Sequence, residues 1–418
     1  MKKRIGIIVQ RYGNQINGGA EVHARMIAEK LNNKYDLTVL TSCAINYHTW
    51  KPELGAGESD ENGIKIIRFT HPEKLSPKKI HKLNRRYRGR LLFQKFYRFL
   101  NRPKWYLNLF PNAEIKEQDG EKWLENQGPA TYDLIKYLKE HQSKYDAFIF
   151  FTYLYYPTAV GMLTVPHKSL FIPTMHDEPA AYYPIFKKVM AAPKRILFNT
   201  KSEMKFSEKL FDIANVSKKI VAVGIDSIDK NIDFSILKKF EINGKYILYV
   251  GRIDVAKGCD EMLSFFINYL KNNIEGLTLV LAGKNMIKPI VHKKIKYAGF
   301  VSEDEKLQLM KQAEALIIPS KYESLSIVLL ESFACQTPVL ANENCEVLKD
   351  HILNSDGGWL YKGQHEFSEK LKIIQKEKDT LKAKLGNDYV KKNYSWPKVL
   401  AEFDDAIDYV VNSNKLSL

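Results

Sequence analysis

The chain has 418 residues, of which 45% are hydrophobic and 27% charged, and a formal charge of +16. That length is too great for one ordinary core and suits two domains of roughly 200 residues each, and no apolar run approaches the roughly 20 residues of a membrane-spanning helix. A cationic surface attracts anionic lipid, nucleic acid and diphosphates alike, so charge by itself chooses none of them.

Residues 4–9 read as a buried strand, because Gln10 and Arg11 cut the apolar run short of a secretion signal. A glycine-rich loop over 13–19, a helix over 20–31 and a strand over 37–41 make a βαβ start. Further strands are expected at 64–69, 147–151, 170–173, 196–199 and 220–223, short apolar runs of the kind parallel sheets bury on both faces. One segment breaks the pattern. From Lys74 to Lys104 there are twelve lysines and arginines and no acidic residue, interleaved with Tyr87, Phe93, Phe96, Tyr97 and Phe99, which suggests a basic helix at a surface. After a polar, helix-poor stretch over 226–244, a second series follows with strands at 246–250, 277–282, 295–298, 315–318 and 338–341. A last helix spans 396–411. Two strand-helix series imply an α/β chain of two Rossmann-like domains, 1–223 and 224–395, facing a cleft that should hold the site.

Cys43, Cys259, Cys335 and Cys345 lie far apart without C-x-x-C spacing, which suggests neither a disulfide framework nor a zinc site and favours a reducing compartment, the cytoplasm. No D-x-D metal motif follows a suitable strand; Asp404 and Asp405 belong to the terminal helix and read as solvated. The first loop lacks the G-x-G-x-x-G pattern, so a dinucleotide cofactor is not expected.

The string Gly251-Arg252-Ile253-Asp254-Val255-Ala256-Lys257-Gly258 sets two cations on a strand-end loop. Fixed cations there can stabilise the charge that develops on a departing diphosphate, a step that needs no metal. Glu323 and Glu331 follow, with seven residues between them. A carboxylate can accept both hydroxyls of a vicinal diol. Eight residues is slightly over two helical turns, so both could face one cavity about 12 Å long. Ile327, Leu330 and Ala334 mark the helix as buried, which makes Glu331 costly without a partner. His176 stands just past the apolar strand 170–173, where a side chain can project into a cleft. Asp177 and Glu178 beside it are weaker candidates.

These residues resemble the family-4 glycosyltransferases, which have the two-domain GT-B fold. Glu323 to Pro338 follows the family's E-x-x-S-x-x-x-x-E-x-x-A-x-x-x-P pattern, although Cys335, Gln336 and Thr337 stand where a glycine is more usual. The resemblance implies that Arg252 and Lys257 bind the donor diphosphate, that Glu323 contacts the donor sugar and that Glu331 holds the ribose. Ser324, Leu325 and Ser326 would complete the donor loop. Residues 297–301, including Val301, look like the base-contacting loop. Gly18 and Gly19, in Asn17-Gly18-Gly19-Ala20-Glu21, look like the family's first loop, where helix-start N–H groups can meet donor phosphate or acceptor. His176 is similar to the active-site histidine, and His176, Arg252, Lys257 and Glu323 together are the implied catalytic set. Residues 223–226 resemble the interdomain hinge, and 396–418 the closing helix that returns to the first domain.

The function implied is retaining transfer of a sugar from a nucleoside-diphosphate donor to a glycan or lipid-linked acceptor, in bacterial cell-surface polysaccharide synthesis, with no metal or cofactor. The expected location is the cytoplasm, with residues 74–104 either solvated or drawn to the anionic inner face of the membrane; nucleic acid is the weakest of the readings. Two rivals stay open on sequence: a GT-B nucleotide-sugar epimerase, and a non-catalytic protein that binds nucleotide sugars or nucleic acid.

Overall fold

The computed structural model describes residues 2–16, 18–47, 49–72, 117–228, 231–273, 276–376 and 379–415. Asn17 and the basic segment 74–104 lie outside the described residues. The chain forms two compact units, Met1–Ala222 with Leu400–Leu418, and Val223–Val399.

In the first unit, strands β1 (Arg4–Ile8), β2 (Asp36–Ser42), β3 (Gly57–Glu61), β4 (Ile64–Phe69), β5 (Ala147–Phe151), β6 (Ser169–Ile172), β7 (Arg195–Phe198) and β8 (Ser217–Ile220) join one sheet. Their order is β3-β4-β2-β1-β5-β6-β7-β8, and every pairing is parallel except β3 with β4. Helices α1 (Gly19–Leu31), α2 (Glu117–Gln127), α3 (Tyr132–His141), α4 (Tyr156–Thr164), α5 (Ile185–Ala191) and α6 (Lys201–Leu210) lie between strands. The central strands are buried throughout, as in β5, because a parallel sheet is covered on both faces.

Two elements of this unit differ from the sequence expectation. The expected strand over 220–223 is observed at Ser217–Ile220, an edge strand whose half-exposed residues give no apolar signal. Val221 adds one further bond, from its N–H to the Phe198 carbonyl. Strand β3, Gly-Glu-Ser-Asp-Glu, was not expected, because an exposed edge strand carries no hydrophobic face. Its turn does carry a signal: Asn62 and Gly63 both have positive φ, 56° and 74°, as a tight hairpin requires.

The second unit has a sheet of β9 (Tyr246–Val250), β10 (Thr278–Ala282), β11 (Ile295–Gly299), β12 (Ala315–Ile318), β13 (Val339–Asn342) and β14 (Gly358–Tyr361), in the order β11-β10-β9-β12-β13-β14. All pairings are parallel. Strand β14 adds to the expected set; it is short, and Gly357 and Gly358 precede its apolar residues. Helices α7 (Ser235–Lys239), α8 (Cys259–Lys271), α9 (Glu303–Gln312), α10 (Ile327–Ala334), α11 (Glu346–Ser355), α12 (Gly363–Lys376) and α13 (Thr380–Asn393) accompany them, and α14 (Trp396–Lys415) ends the chain. The short α7 falls inside the stretch expected to be helix-poor.

From Leu400 onward α14 belongs to the first unit. Phe403, Ala406, Ile407 and Val410 are buried at helical spacing, so one stripe of the helix faces a core. Its acidic residues are not merely solvated. Asp404 accepts from Lys34 and Tyr35 at 2.7 and 2.6 Å, and Asp405 pairs with Arg195 at 2.6 Å and Lys219 at 3.0 Å. Among the described residues no helix is long and apolar enough to cross a membrane, and the four cysteines are free and buried.

Candidate functional site

In the second unit the chain runs outward one way through β9, β10 and β11, then returns to the other side of β9 with β12. The sheet therefore has a switch point between adjacent strands β9 and β12, where the loops at their carboxyl ends diverge and leave a crevice. The two loops expected to carry chemistry, 251–258 and 319–326, are the ones that follow these strands.

The first loop is shaped by glycines and by one carboxylate. Gly283, at φ 145°, has no room for a side chain, since a Cβ there would lie 1.9 Å from the Gly251 carbonyl oxygen. Gly258, at φ 75°, would set a Cβ 2.7 Å from the Pro319 carbonyl oxygen, so it holds the two loops in close approach. Asp254 organises the turn: it pairs with the Arg252 guanidinium and accepts the Lys257 N–H at 2.8 Å. The Tyr249 hydroxyl donates to the Arg252 carbonyl at 2.7 Å. Sequence reading passed over Asp254 because an acid among cations looks like simple charge balance.

Across the switch point, the Lys257 ammonium meets the Glu323 carboxylate at 2.8 Å, with 36% of the lysine side chain and 16% of the glutamate exposed. Burial pulls the Lys257 pKa down, but the charge and hydrogen bond of Glu323 outweigh it and leave the ammonium raised. Ser324 follows Glu323 on the loop, Leu325 is buried, and Ser326 sits at φ 64° at the start of α10. A left-handed non-glycine residue costs on the order of 1–3 kcal/mol, so surrounding bonds must hold this loop. The buried Ser326 hydroxyl has no hydrogen-bond partner among the described residues.

Glu331 lies inside α10 as expected, and its partner is Lys306 of α9, at 2.9 Å. Both side chains are largely buried, and Lys306 also reaches Glu303 at 2.6 Å. Burial raises the Glu331 pKa against the opposing pull of Lys306. Burial pulls Lys306 the other way, but Glu331 and Glu303 outweigh it and keep its pKa raised. The buried side of α10 is built from Leu329, Leu330, Phe333 and Ala334; Ile327, in the first turn, is only partly buried. A cavity of 590 Å³ opens at the ends of β10 and β11, lined among others by Gly283, Lys284, Asn285, Tyr297, Gly299 and Phe300. Val301 follows directly on the chain and is partly buried.

In the first unit, Gly18 and Gly19 precede and begin α1. A Cβ at Gly18 would lie 2.1 Å from a Glu21 carboxylate oxygen, whereas Gly19 faces open space. Glu21 is buried and paired with Arg11, whose guanidinium also donates to the Ile45 carbonyl at 2.6 Å. His176 lies past the end of β6, with Nδ1 3.8 Å from a Glu178 oxygen that accepts from Tyr153 at 2.6 Å. Behind it, Glu203 accepts the N–H of Met175 at 2.5 Å and of Asn199 at 2.7 Å, which ties the ends of β6 and β7 together. Burial pushes Glu203 up to about 8. Thr152 and Thr174, just beyond β5 and β6, have positive φ of 65° and 50°. Glu203 was missed because it reads as the third residue of an ordinary capped helix, and its N–H does bond the Thr200 hydroxyl at 3.1 Å. Among the described residues no three His, Cys, Asp or Glu side chains group as a metal site would need.

Residues 232–395 match the family described as "Glycosyl transferases group 1". An uncharacterized glycosyltransferase, MJ1607, of Methanocaldococcus jannaschii is 27% identical over 172 residues, which cover 36% of this chain and 43% of the relative. The match thus spans less than half the length of that relative. Among solved structures, sucrose-phosphate synthase of Thermosynechococcus elongatus superposes with a TM-score of 0.69 at 13% identity, covering 99% of this chain and 100% of the other. Anabaena Alr3699/HepE, solved with UDP and glucose, gives 0.66 at 13% identity over 98% and 100%. The fold is GT-B, with two Rossmann-like units. Within it, residues 232–395 are the part that matches the group 1 glycosyl transferases.

Proposed function

We propose that the protein is a retaining glycosyltransferase that moves a sugar from a nucleoside-diphosphate donor to a glycan or lipid-linked acceptor, in bacterial cell-surface polysaccharide synthesis. The observation that carries this reading is the Lys257–Glu323 pair at 2.8 Å on adjoining switch-point loops. The two groups neutralise each other. A diphosphate would take over Lys257 and engage Arg252, and Glu323 would then be released to accept sugar hydroxyls. The cations favour departure of the diphosphate because its charge grows as the glycosidic bond lengthens. Glu331, held by Lys306, is assigned to the ribose diol, and the cavity lined by Tyr297 and Phe300 to the base. Ser324, Leu325, Ser326 and Val301 line the donor in this scheme, with Gly18 and Gly19 offering N–H groups. His176 is assigned to the acceptor hydroxyl, as base or as orienting group.

No metal or cofactor enters this scheme. The enzyme would work in the cytoplasm, with residues 74–104 resting on anionic lipid of the inner membrane face.

The test is a thermal-shift screen of UDP-, GDP-, ADP- and dTDP-sugars, followed by a transfer assay. A ligand at a hundred times its Kd stabilises the folded state by about 2.7 kcal/mol. One donor should raise the melting temperature of the native chain and not that of Lys257→Ala. No stabilisation by any sugar nucleotide, or the same stabilisation in Lys257→Ala and Glu323→Ala, would refute the reading.

A further inference from the structure

His351, on α11, is 3% exposed and lies 26 residues along the chain from the loop it contacts. Its Nε2 is 2.9 Å from the Leu325 carbonyl oxygen and its Nδ1 is 3.1 Å from the Tyr389 hydroxyl. That hydroxyl is 3.2 Å from the hydroxyl of Tyr394. A carbonyl only accepts, so Nε2 carries the ring proton and donates it. Nδ1 must then accept from Tyr389, and Tyr389 in turn accepts from Tyr394. A single arrangement of protons satisfies the whole relay. Burial pushes the His351 pKa down to about 4, which keeps the ring neutral as this arrangement requires.

The packing agrees. The Tyr389 ring meets Phe333 of α10 edge-on at 6.3 Å and the Tyr394 ring at 5.5 Å. At the far end of the relay, the Tyr394 carbonyl accepts the Ile225 N–H at 2.7 Å. Beside it, a Cβ on Gly224 would lie 2.3 Å from the Trp396 ring. Residues 223–226 and 394–399 adjoin the two points at which the chain passes out of this unit.

A trans peptide points its C=O and the next N–H in opposite directions. With the Leu325 carbonyl drawn inward to His351, the Ser326 N–H is aimed the other way, outward from the core. Ser326 is also the left-handed residue of the loop, the one whose conformation most needs an outside constraint.

We propose that His351 is a positioning residue for the donor loop, fixing the Leu325–Ser326 peptide and with it the orientation of Glu323 toward the sugar. This rests on the reading of that loop as the sugar-holding part of a nucleotide-sugar site. Tyr389 and Tyr394 hold the imidazole in its working tautomer and anchor it to the segment at Ile225.

The experiment compares the full chain with His351→Phe, which keeps a ring and removes both bonds, and His351→Gln, whose amide can still donate to Leu325. Amide exchange is followed over 323–328 and over β9 and β12. Affinities are measured by calorimetry for UDP-glucose, GDP-mannose, UDP and GDP. In His351→Phe, exchange over 323–328 should rise at least tenfold while β9 and β12 stay protected. Affinity for the sugar nucleotide should fall at least tenfold and for the free diphosphate less than threefold, and His351→Gln should recover most of the loss. Unchanged exchange over the loop, uniform loosening of the unit, or equal loss for both ligands would overturn the proposal. If the native chain binds none of these four and no sugar nucleotide of the thermal-shift screen, the reading of the site fails. Loop exchange in His351→Phe then decides the positioning role: local deprotection upholds it and its absence sinks it.

Discussion

Replacing Lys306 by Met keeps the length of the side chain and removes the charge that faces Glu331. Both side chains are largely buried, at 12% and 15% exposure, so solvent screens the pair little. Two unit charges 2.9 Å apart attract by about 6 kcal/mol at an effective dielectric of 20. Losing one partner of a buried pair costs about 3–5 kcal/mol once the stranded charge is counted. For a unit of this size that corresponds to a melting shift of about 10 °C. The pH dependence has a definite sign. Glu331 already has a folded-state pKa above 4.5, so the native state holds more protons than the unfolded one and this group's contribution weakens as pH rises through that interval. Without Lys306 the pKa climbs further, and the deficit of the variant should be larger at pH 8 than at pH 5.5. Urea unfolding followed by tryptophan fluorescence at the two pH values measures it, and Lys306→Met with Glu331→Gln should regain most of the loss. A deficit below about 1 kcal/mol, or one that grows on acidification, would refute the reasoning.

Lys257→Ala should lower transfer about 100- to 1000-fold, the cost typical of one lost donor to a developing charge, while circular dichroism stays native; transfer within threefold of native would contradict the assignment. Gly283→Ala forces a Cβ into the Gly251 carbonyl and should cost about 2–3 kcal/mol, read as a lower urea midpoint together with weaker nucleotide binding through the displaced Arg252 loop. For Glu203, whose pKa burial lifts to about 8, the native state again holds the extra proton. Stability should therefore fall as pH rises from 4.5 toward 8, by up to about 1.4 kcal/mol per pH unit. Glu203→Gln should flatten that slope, which unfolding curves at pH 5, 6.5 and 8 would reveal.

The sheets were legible because buried parallel strands are short apolar runs, and β5 or β9 can hardly be read otherwise. Two edge strands of the first sheet were not: β3 is polar throughout, and β8 shows two lysines where an apolar run was sought. The Asn62–Gly63 turn was the signal available for β3, and it requires pairing two weak segments rather than scoring one. In the candidate site, the residues that the resemblance assigns to a ligand could be named from the sequence, and the residues that support them could not. Asp254 holds Arg252 and Lys257 from within their own loop, while Lys306, Glu203 and His351 act from other elements, and which helix turn faces which loop is a property of packing that spacing along one chain does not encode. Glu331 shows the boundary well, since burial in an apolar helix announced that a partner must exist while its identity, 25 residues earlier on α9, came only from the fold.

A common physical pattern links these supports. Glu21 and Glu323 sit near a helix start or a sheet's carboxyl edge and Glu331 inside α10; each is mostly withdrawn from water, and each faces one basic side chain, respectively Arg11, Lys257 and Lys306. A buried carboxylate without such a partner would take up a proton or unfold its surroundings. The three pairs are nevertheless unequal. Arg11 and Glu21 are both under 10% exposed, and the Arg11 guanidinium has a second acceptor in the Ile45 carbonyl, so that pair has no reason to open. Lys306 is shared with Glu303 and stays with α9. Lys257 alone of the three cations keeps about a third of its side chain in solvent, and its loop is built on glycines rather than on a helix. It can therefore exchange a carboxylate for an incoming phosphate with the least rearrangement, which is why the proposed scheme gives the diphosphate to that pair, leaves Arg11–Glu21 to the architecture and uses Lys306 to hold Glu331 for the ribose.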